Sequence, residues 1–317
     1  IHFDMKFIKK NKHSLGLLSL FLVLFLSCKE KHTETSEAIT ETTKPGVDQS
    51  LDSYWYQGKA EISSYELEQV RYGQKHMGDA VLIFVTEDFS KTKQVKLDNP
   101  SKSGMDKITV LKMNYSKKFN TGIYPYSMFL SSFTPIGNDV SAHPLKISAS
   151  IQEWCGHVFI QMNQRANQYE IEQYSYFETE GDQKLILPID WCEDELSNQI
   201  RINPAKLPID RFKIIPGAFF TRLKHKALSA TDAVGRLQDI NTDTQAYQIE
   251  FPILQRNLKI LFNKKSPYEI LSWEESYLEG TEQMVSKATL KKRIQLDYWN
   301  KHNVEDSIYR KELELKY

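Results

Sequence analysis

The stretch Leu145-Lys146-Ile147-Ser148-Ala149-Ser150-Ile151-Gln152 alternates apolar and polar side chains without a break. Successive residues of a strand face opposite ways, so this period of two predicts a half-buried β-strand. Working outward, Ala80 to Thr86 is a continuous apolar run, as expected of a fully buried strand. Further strands are expected at Lys107 to Tyr115, His157 to Met162, Tyr169 to Phe177, Tyr247 to Phe251, Leu258 to Phe262 and Tyr268 to Trp273. The turn-like insert Asn263-Lys264-Lys265-Ser266-Pro267 makes the last two a candidate hairpin. Ala288 to Tyr298 fits helix and strand spacing alike and is read as strand, and Tyr309, Leu313, Leu315 and Tyr317 repeat the pattern in the tail.

Helix signals are sparser. Asp190 to Arg201 is the best case, with Asp190 as cap, Glu193 three residues later, and Leu196 and Ile200 on one face before Asn203-Pro204. The fold class is therefore mainly β: predominantly antiparallel sheets, as a sandwich or a curved sheet, with a few short helices in one domain over residues 51–317.

The N-terminal region reads differently. Lys6, Lys9, Lys10 and Lys12 precede an uncharged apolar run from Leu15 to Leu26 and then Ser27-Cys28. A basic segment, a short hydrophobic segment and a small residue before a cysteine form a signal peptide, expected over residues 1–27 with Met5 as the start. The box Phe25-Leu26-Ser27-Cys28 resembles that of bacterial lipoproteins, which implies acylation of Cys28. Several acyl chains hold firmly, at about 0.8 kcal/mol per buried methylene. Lys29 stands where the family's inner-membrane retention aspartate would be, which implies the outer membrane, with a periplasmic or surface orientation.

Residues 28–50 are Thr- and Glu-rich and lack aromatics, so a disordered tether of about 25 Å root-mean-square span is expected. The whole chain balances 41 basic against 41 acidic residues, so no nucleic-acid partner is expected. The short clusters Lys224-His225-Lys226 and Lys291-Lys292-Arg293 read as solvated faces.

Chemistry, if present, centres on Glu153-Trp154-Cys155-Gly156-His157 and Asp190-Trp191-Cys192-Glu193-Asp194. With Cys28 committed to lipid, Cys155 and Cys192 form an even pair in an oxidising compartment, and a disulfide between them is expected, worth about 4 kcal/mol in the chain-entropy account. A Cys-His thiol enzyme or hydrolase built from Cys155, His157 and Cys192 is the rival, since Cys155 and His157 two apart on a strand would share a face. The acidic run Asp190, Glu193, Asp194 and Glu195 reads as a helix start favoured by the macrodipole. No paired CxxC, HExxH, GxSxG, phosphate-loop or dinucleotide spacing occurs, so neither metal nor cofactor is expected.

Aromatic clustering supplies a third reading. Tyr54-Trp55-Tyr56 and the group Tyr169, Tyr174, Tyr176 and Phe177 offer rings that stack on sugars, suggesting a glycan or an envelope protein as partner. Across Tyr54-Trp55-Tyr56-Gln57-Gly58, Arg71-Tyr72-Gly73, Val81 to Phe89 and Ile151 to His157, the chain resembles a group of Bacteroidota lipoproteins labelled septum formation inhibitor Maf. The Ser-x-Ser-Pro-Arg-Arg loop that opens true Maf pyrophosphatases is absent, so the resemblance carries no catalytic residue. The sequence thus reads as an anchored envelope protein with a β-rich binding or assembly domain.

Overall fold

The computed structural model describes residues 53–137 and 143–316. The expected signal peptide, Cys28 and the tether lie outside the described residues. The first eight strands are β1 (Ala60–Arg71), β2 (Gln74–Ser90), β3 (Lys107–Thr121), β4 (Tyr124–Pro135), β5 (Lys146–Glu153), β6 (Gly156–Arg165), β7 (Gln168–Ser175) and β8 (Gln183–Pro188). Next come β9 (Trp191–Cys192), helix α1 (Leu196–Ile202), β10 (Asp210–Ile215) and helix α2 (Ala218–Leu223). A second meander follows, β11 (Thr231–Asp239), β12 (Thr244–Phe251), β13 (Arg256–Asn263), β14 (Ile270–Glu279) and β15 (Glu282–Leu296), and then α3 (Ile308–Glu312).

Among the described residues, all fifteen strands belong to one sheet, ordered β8-β7-β6-β5-β4-β3-β2-β1-β15-β14-β13-β12-β11-β10-β9. Pairing is antiparallel throughout except between β9 and β10. Sequence-adjacent strands mostly need only tight turns. Arg71 pairs with Gln74 across Tyr72-Gly73, whose φ angles of 54° and 70° are those of a type I′ hairpin, and glycine meets the second at no steric cost.

Of the two expected arrangements, the protein adopts the curved sheet. β3 and β14 are four strand positions apart, about 19 Å on a flat sheet at the usual spacing. Yet the rings of Tyr115 on β3 and Trp273 on β14 lie 5.5 Å apart, so the sheet rolls and encloses its inner face. The apolar run on β2 uses both faces. Ala80, Leu82 and Phe84 are buried inside, while Val81 and Ile83 are half-buried in a surface depression shared with Tyr309, Leu313 and Leu315 of the C-terminal segment. Ser64 Oγ donates to Leu313 O at 2.6 Å, and Lys291 Nζ to Glu314 O at 2.6 Å, fixing that segment outside the sheet.

The tail is helical rather than the expected strand. The Asn303 N–H donates to Asp306 Oδ2 at 3.0 Å, a start signal that leads into α3. The other helix starts later than the sequence implies: a 3-10 turn over Glu193–Glu195 precedes α1, and the capping bond runs from Cys192 N–H to Glu195 Oε1 at 2.7 Å. Asp190 is not the cap, and Glu193 and Asp194 have partners outside their own helix. Asp194 Oδ2 accepts from Ala218 N–H at 2.9 Å and Glu193 Oε2 from Gly217 N–H at 3.0 Å, at the start of α2.

Buried arginines fasten these helices into the concave face. Arg201 on α1 makes two 2.6 Å bonds to Glu61 on β1, with its guanidinium 4.9 Å from the ring centres of both Trp55 and Phe84. Tyr54 OH also donates to Glu61. Burial would raise the Glu61 carboxyl, but Arg201 outweighs it and holds the group below its ordinary range. Arg256 on β13 makes two 2.6 Å bonds to Glu193 and one of 2.7 Å to Glu275. Arg222 on α2 lies 3.6 Å from Glu153 and 3.7 Å from Glu180, and 4.0 Å from the Phe177 ring centre.

Candidate functional site

Glu153 pairs with Gly156, so Trp154-Cys155 is the two-residue turn joining β5 to β6. The register of neighbouring strands puts the Tyr72-Gly73 turn, the Gly122-Ile123 turn and the segment after β7 on this same rim. Aromatic rings collect there. Trp154 is 67 % exposed and lies nearly parallel to Tyr124, with ring centres 6.4 Å apart and planes at 25°. The hydroxyl of Tyr72 lies 2.8 Å from that of Tyr124 and 3.1 Å from that of Tyr126. Burial lifts the Tyr126 phenol; at Tyr72, hydrogen bonds from the other two phenols and the Arg71 charge outweigh burial and hold the phenol low.

On the other side of the turn, Gly156 determines where a ring can lie. A Cβ placed there would come within 2.7 Å of Tyr176 Cδ1, Cγ and Cβ, so the missing side chain is what lets Tyr176 pack this closely against the strand. Tyr176 is itself 70 % exposed. Below it, His157, Phe159, Tyr174, Ser175, Tyr176 and Asp182 line an open depression of about 310 Å³ on the outer face. That size is near the lower end of the ~300–1,000 Å³ of small-molecule pockets. His157 Nε2 lies 2.8 Å from Ser150 Oγ, and Asp182 Oδ1 accepts from Ser175 N–H at 3.2 Å. Exposed ring faces beside a histidine, a carboxylate and hydroxyls can cover an apolar C–H face and hydrogen-bond the groups around it.

The grouping of Cys155, His157 and Cys192 expected from sequence is not realised. Both thiols are free, which corrects the expected disulfide. Cys155 is exposed in a turn, whereas buried Cys192 Sγ lies 3.8 Å from Met162 Sδ. Met162 is six residues along β6 from Gly156, about 20 Å at the strand rise, far beyond the ~7 Å a disulfide tolerates between Cα atoms. Nor do Cys155 and His157 share a strand face, because Cys155 belongs to the turn and His157 bonds Ser150.

The thiols are also poorly disposed to ionise. A hydrogen bond to Glu153 and its charge push the Cys155 thiol up, and burial followed by Glu195 pushes Cys192 well above its ordinary value. Glu195 Oε1 lies 3.1 Å from His143 Nδ1 and Glu193 binds Arg256, so the acidic run meets partners one by one. Among the described residues, no group of three or more His, Cys, Asp or Glu is placed to hold a metal.

The aromatic reading is divided by the fold. Trp55 and Tyr169 are buried, Tyr54 and Phe177 half-buried, and Tyr174 and Tyr176 face the depression. Tyr72, Tyr124, Phe159 and Asp182 were outside the expected set. The first two carry a readable signal, since Tyr72-Gly73 and Gly122-Ile123 are turn signals and antiparallel neighbours bring alternate turns to one rim. The basic clusters are engaged locally: Lys224 with Glu279, His225 with Glu180, Lys291 with Asp79, Lys292 with Glu314 and Arg293 with Glu269.

No family model matches the chain, and no curated protein matches it. Among solved structures, it is similar to the crystal structure of a beta-barrel-like protein of domain of unknown function DUF1849 from Brucella abortus, with a TM-score of 0.44, 10 % identity, and coverage of 74 % of this chain and 97 % of that chain.

Proposed function

We propose that this protein is a lipid-anchored envelope lipoprotein that binds a neutral glycan at the β5–β8 rim. The observation that carries the reading is a rim with two exposed rings, Tyr176 lining the depression with His157 and Asp182, and Trp154 stacked on Tyr124 at the adjoining turn. Pyranose rings present apolar C–H faces and a fringe of hydroxyls, the chemistry these groups complement. Anchoring rests on the Ser27-Cys28 box, and the outer membrane on Lys29. A thiol mechanism has no such support, because Cys155, His157 and Cys192 do not converge.

The test is affinity electrophoresis through gels carrying neutral polysaccharides. Retardation by at least one polysaccharide, lost in both Trp154→Ala and Tyr176→Ala, is expected; unchanged migration across a broad panel overturns the glycan reading. The anchor is tested separately by intact mass of protein extracted from native membranes, where an unacylated Cys28 overturns it.

A further inference from the structure

Lys117 on β3 pairs with Ala80 and Met128, both on the enclosed face, and is itself only 5 % exposed. Its Nζ donates to Gln69 Oε1 at 3.2 Å and sits 5.5 Å and 5.9 Å from the ring centres of Tyr115 and Phe219. An ammonium carries three donors, and among the described residues only Gln69 accepts from it. Lys117 lines a cavity of about 80 Å³ between the two halves of the sheet. Leu82 and Met113 form one wall, Leu258, Ile260 and Trp273 the other, and Phe219 of α2 also lines it. Asp194 and Ser197, beside and within α1, complete the polar side.

Size and charge together narrow what fits. About 80 Å³ is roughly half the volume of an engineered cavity that admits benzene, so only a short apolar group enters. Lys117 and Arg256 contribute two positive charges, and Glu193 and Glu275 two negative ones, so the lining is balanced while Asp194, whose carboxyl burial pushes up to about 7, holds its proton. A charged guest would leave an uncompensated charge among largely buried side chains, whereas a neutral one would not. A hydroxyl oxygen can accept from Lys117 while its proton is donated to an oxygen of Asp194 or Ser197.

We propose that this cavity is a second binding site, distinct from the rim, for a small neutral amphiphile: a short unbranched alkyl chain ending in a hydroxyl. The apolar walls take the chain and the otherwise unused donors of Lys117 take its oxygen.

Full-length protein with labelled isoleucine and leucine methyl groups is titrated with butan-1-ol, butanoate and butylammonium in separate NMR experiments. Saturable shifts at Leu258 and Ile260, with nuclear Overhauser contacts from butanol to the Trp273 indole, are expected for the alcohol. Affinity at least about ten-fold weaker is expected for both ions. Lys117→Met should reduce butanol affinity by about five-fold or more, the worth of a lost hydrogen bond. Water-only occupancy, seen as no saturable shift with any of the three, overturns the site, as do shifts confined to other residues. Equal or tighter binding of either ion overturns the neutral-ligand assignment, and unaltered butanol affinity in a folded Lys117→Met overturns the role of the lysine. The three-ligand comparison uses the unaltered chain, so it decides the case even where the variant does not fold.

Discussion

Aromatic rings serve opposite ends in two regions of this molecule. Inside the rolled sheet, Trp55 and Phe84 flank the Arg201 guanidinium, and Phe220 and Phe251 lie over Arg256. At the rim, Trp154 and Tyr176 leave most of their surface open to solvent. The contrast shows that an aromatic residue acquires its role from the charge it meets. A ring facing a buried cation excludes water from an ion pair and stabilises a junction, while a ring facing solvent offers its surface to a partner.

The largest expected effect lies at the interior end of this contrast. Arg201→Met leaves the Glu61 carboxylate buried without its partner, and a loss of about 3–5 kcal/mol is expected in urea unfolding. A loss below about 1 kcal/mol would mean that the ring-flanked pair is no stronger than a surface one. Arg222→Met should cost less, about 1–3 kcal/mol, because its carboxylate contacts at 3.6 and 3.7 Å exceed hydrogen-bond length. Amide exchange in Ala218–Leu223 should rise in that variant while α1 keeps its protection; equal exchange in both helices would tie α1 to the same latch.

A smaller effect follows pH. Burial, followed by the charge of Glu193, pushes Asp194 up to about 7 from its ordinary 3.8. Between those values the folded chain holds a proton that the unfolded chain has released, so this group's contribution to stability falls as pH rises through the window. Glu61 and Glu275, held low by arginine, act the other way: their contribution is present above about 4.5 and is lost as pH falls through their depressed values. Urea melts across the upper window should therefore show a downward slope that Asp194→Asn flattens. A slope unchanged by that substitution would assign the titration elsewhere.

The smallest stability change belongs to the rim. Trp154→Ala should alter unfolding free energy by less than about 1 kcal/mol, as for most surface substitutions, while abolishing polysaccharide retardation. A large destabilisation would show that the stack with Tyr124 is structural and would erase the distinction between the two regions.

Much of the sheet is legible where alternation is undisturbed. In β5, Ile147, Ala149 and Ile151 are buried as their spacing implies. β3 is harder to read because Lys117 and Tyr115 face inward among apolar neighbours, so polarity no longer reports the exposed face. Val81 and Ile83 look like core residues for a reason no local pattern contains, the later C-terminal segment beside them. α2 spans six residues, too few to display a helical period, and its place is fixed by Asp194, Arg256 and Glu153 from distant segments. The rim motif is visible as Trp154-Cys155-Gly156-His157, but nothing local in it shows that Gly156 leaves the room that the Tyr176 ring occupies, because Tyr176 comes from the segment after β7.

The two edge strands, β8 and β9, are separated in the chain only by Ile189 and Asp190, while Ala60 of the first strand pairs with Leu296 of the last near the middle of the sheet. Joined at its ends and opened between Pro188 and Trp191, the same polypeptide would run β9 to β15 and then β1 to β8, each strand beside its predecessor. Apart from the parallel β9–β10 pair, whose crossover carries α1, the fold is in this sense a circular permutation of a simple meander. Among the described residues, the β1–β15 pairing spans the longest stretch of chain of any strand pair, and because loop-closure entropy grows with the span being closed, the kinetic burden of strand pairing falls on that internal seam.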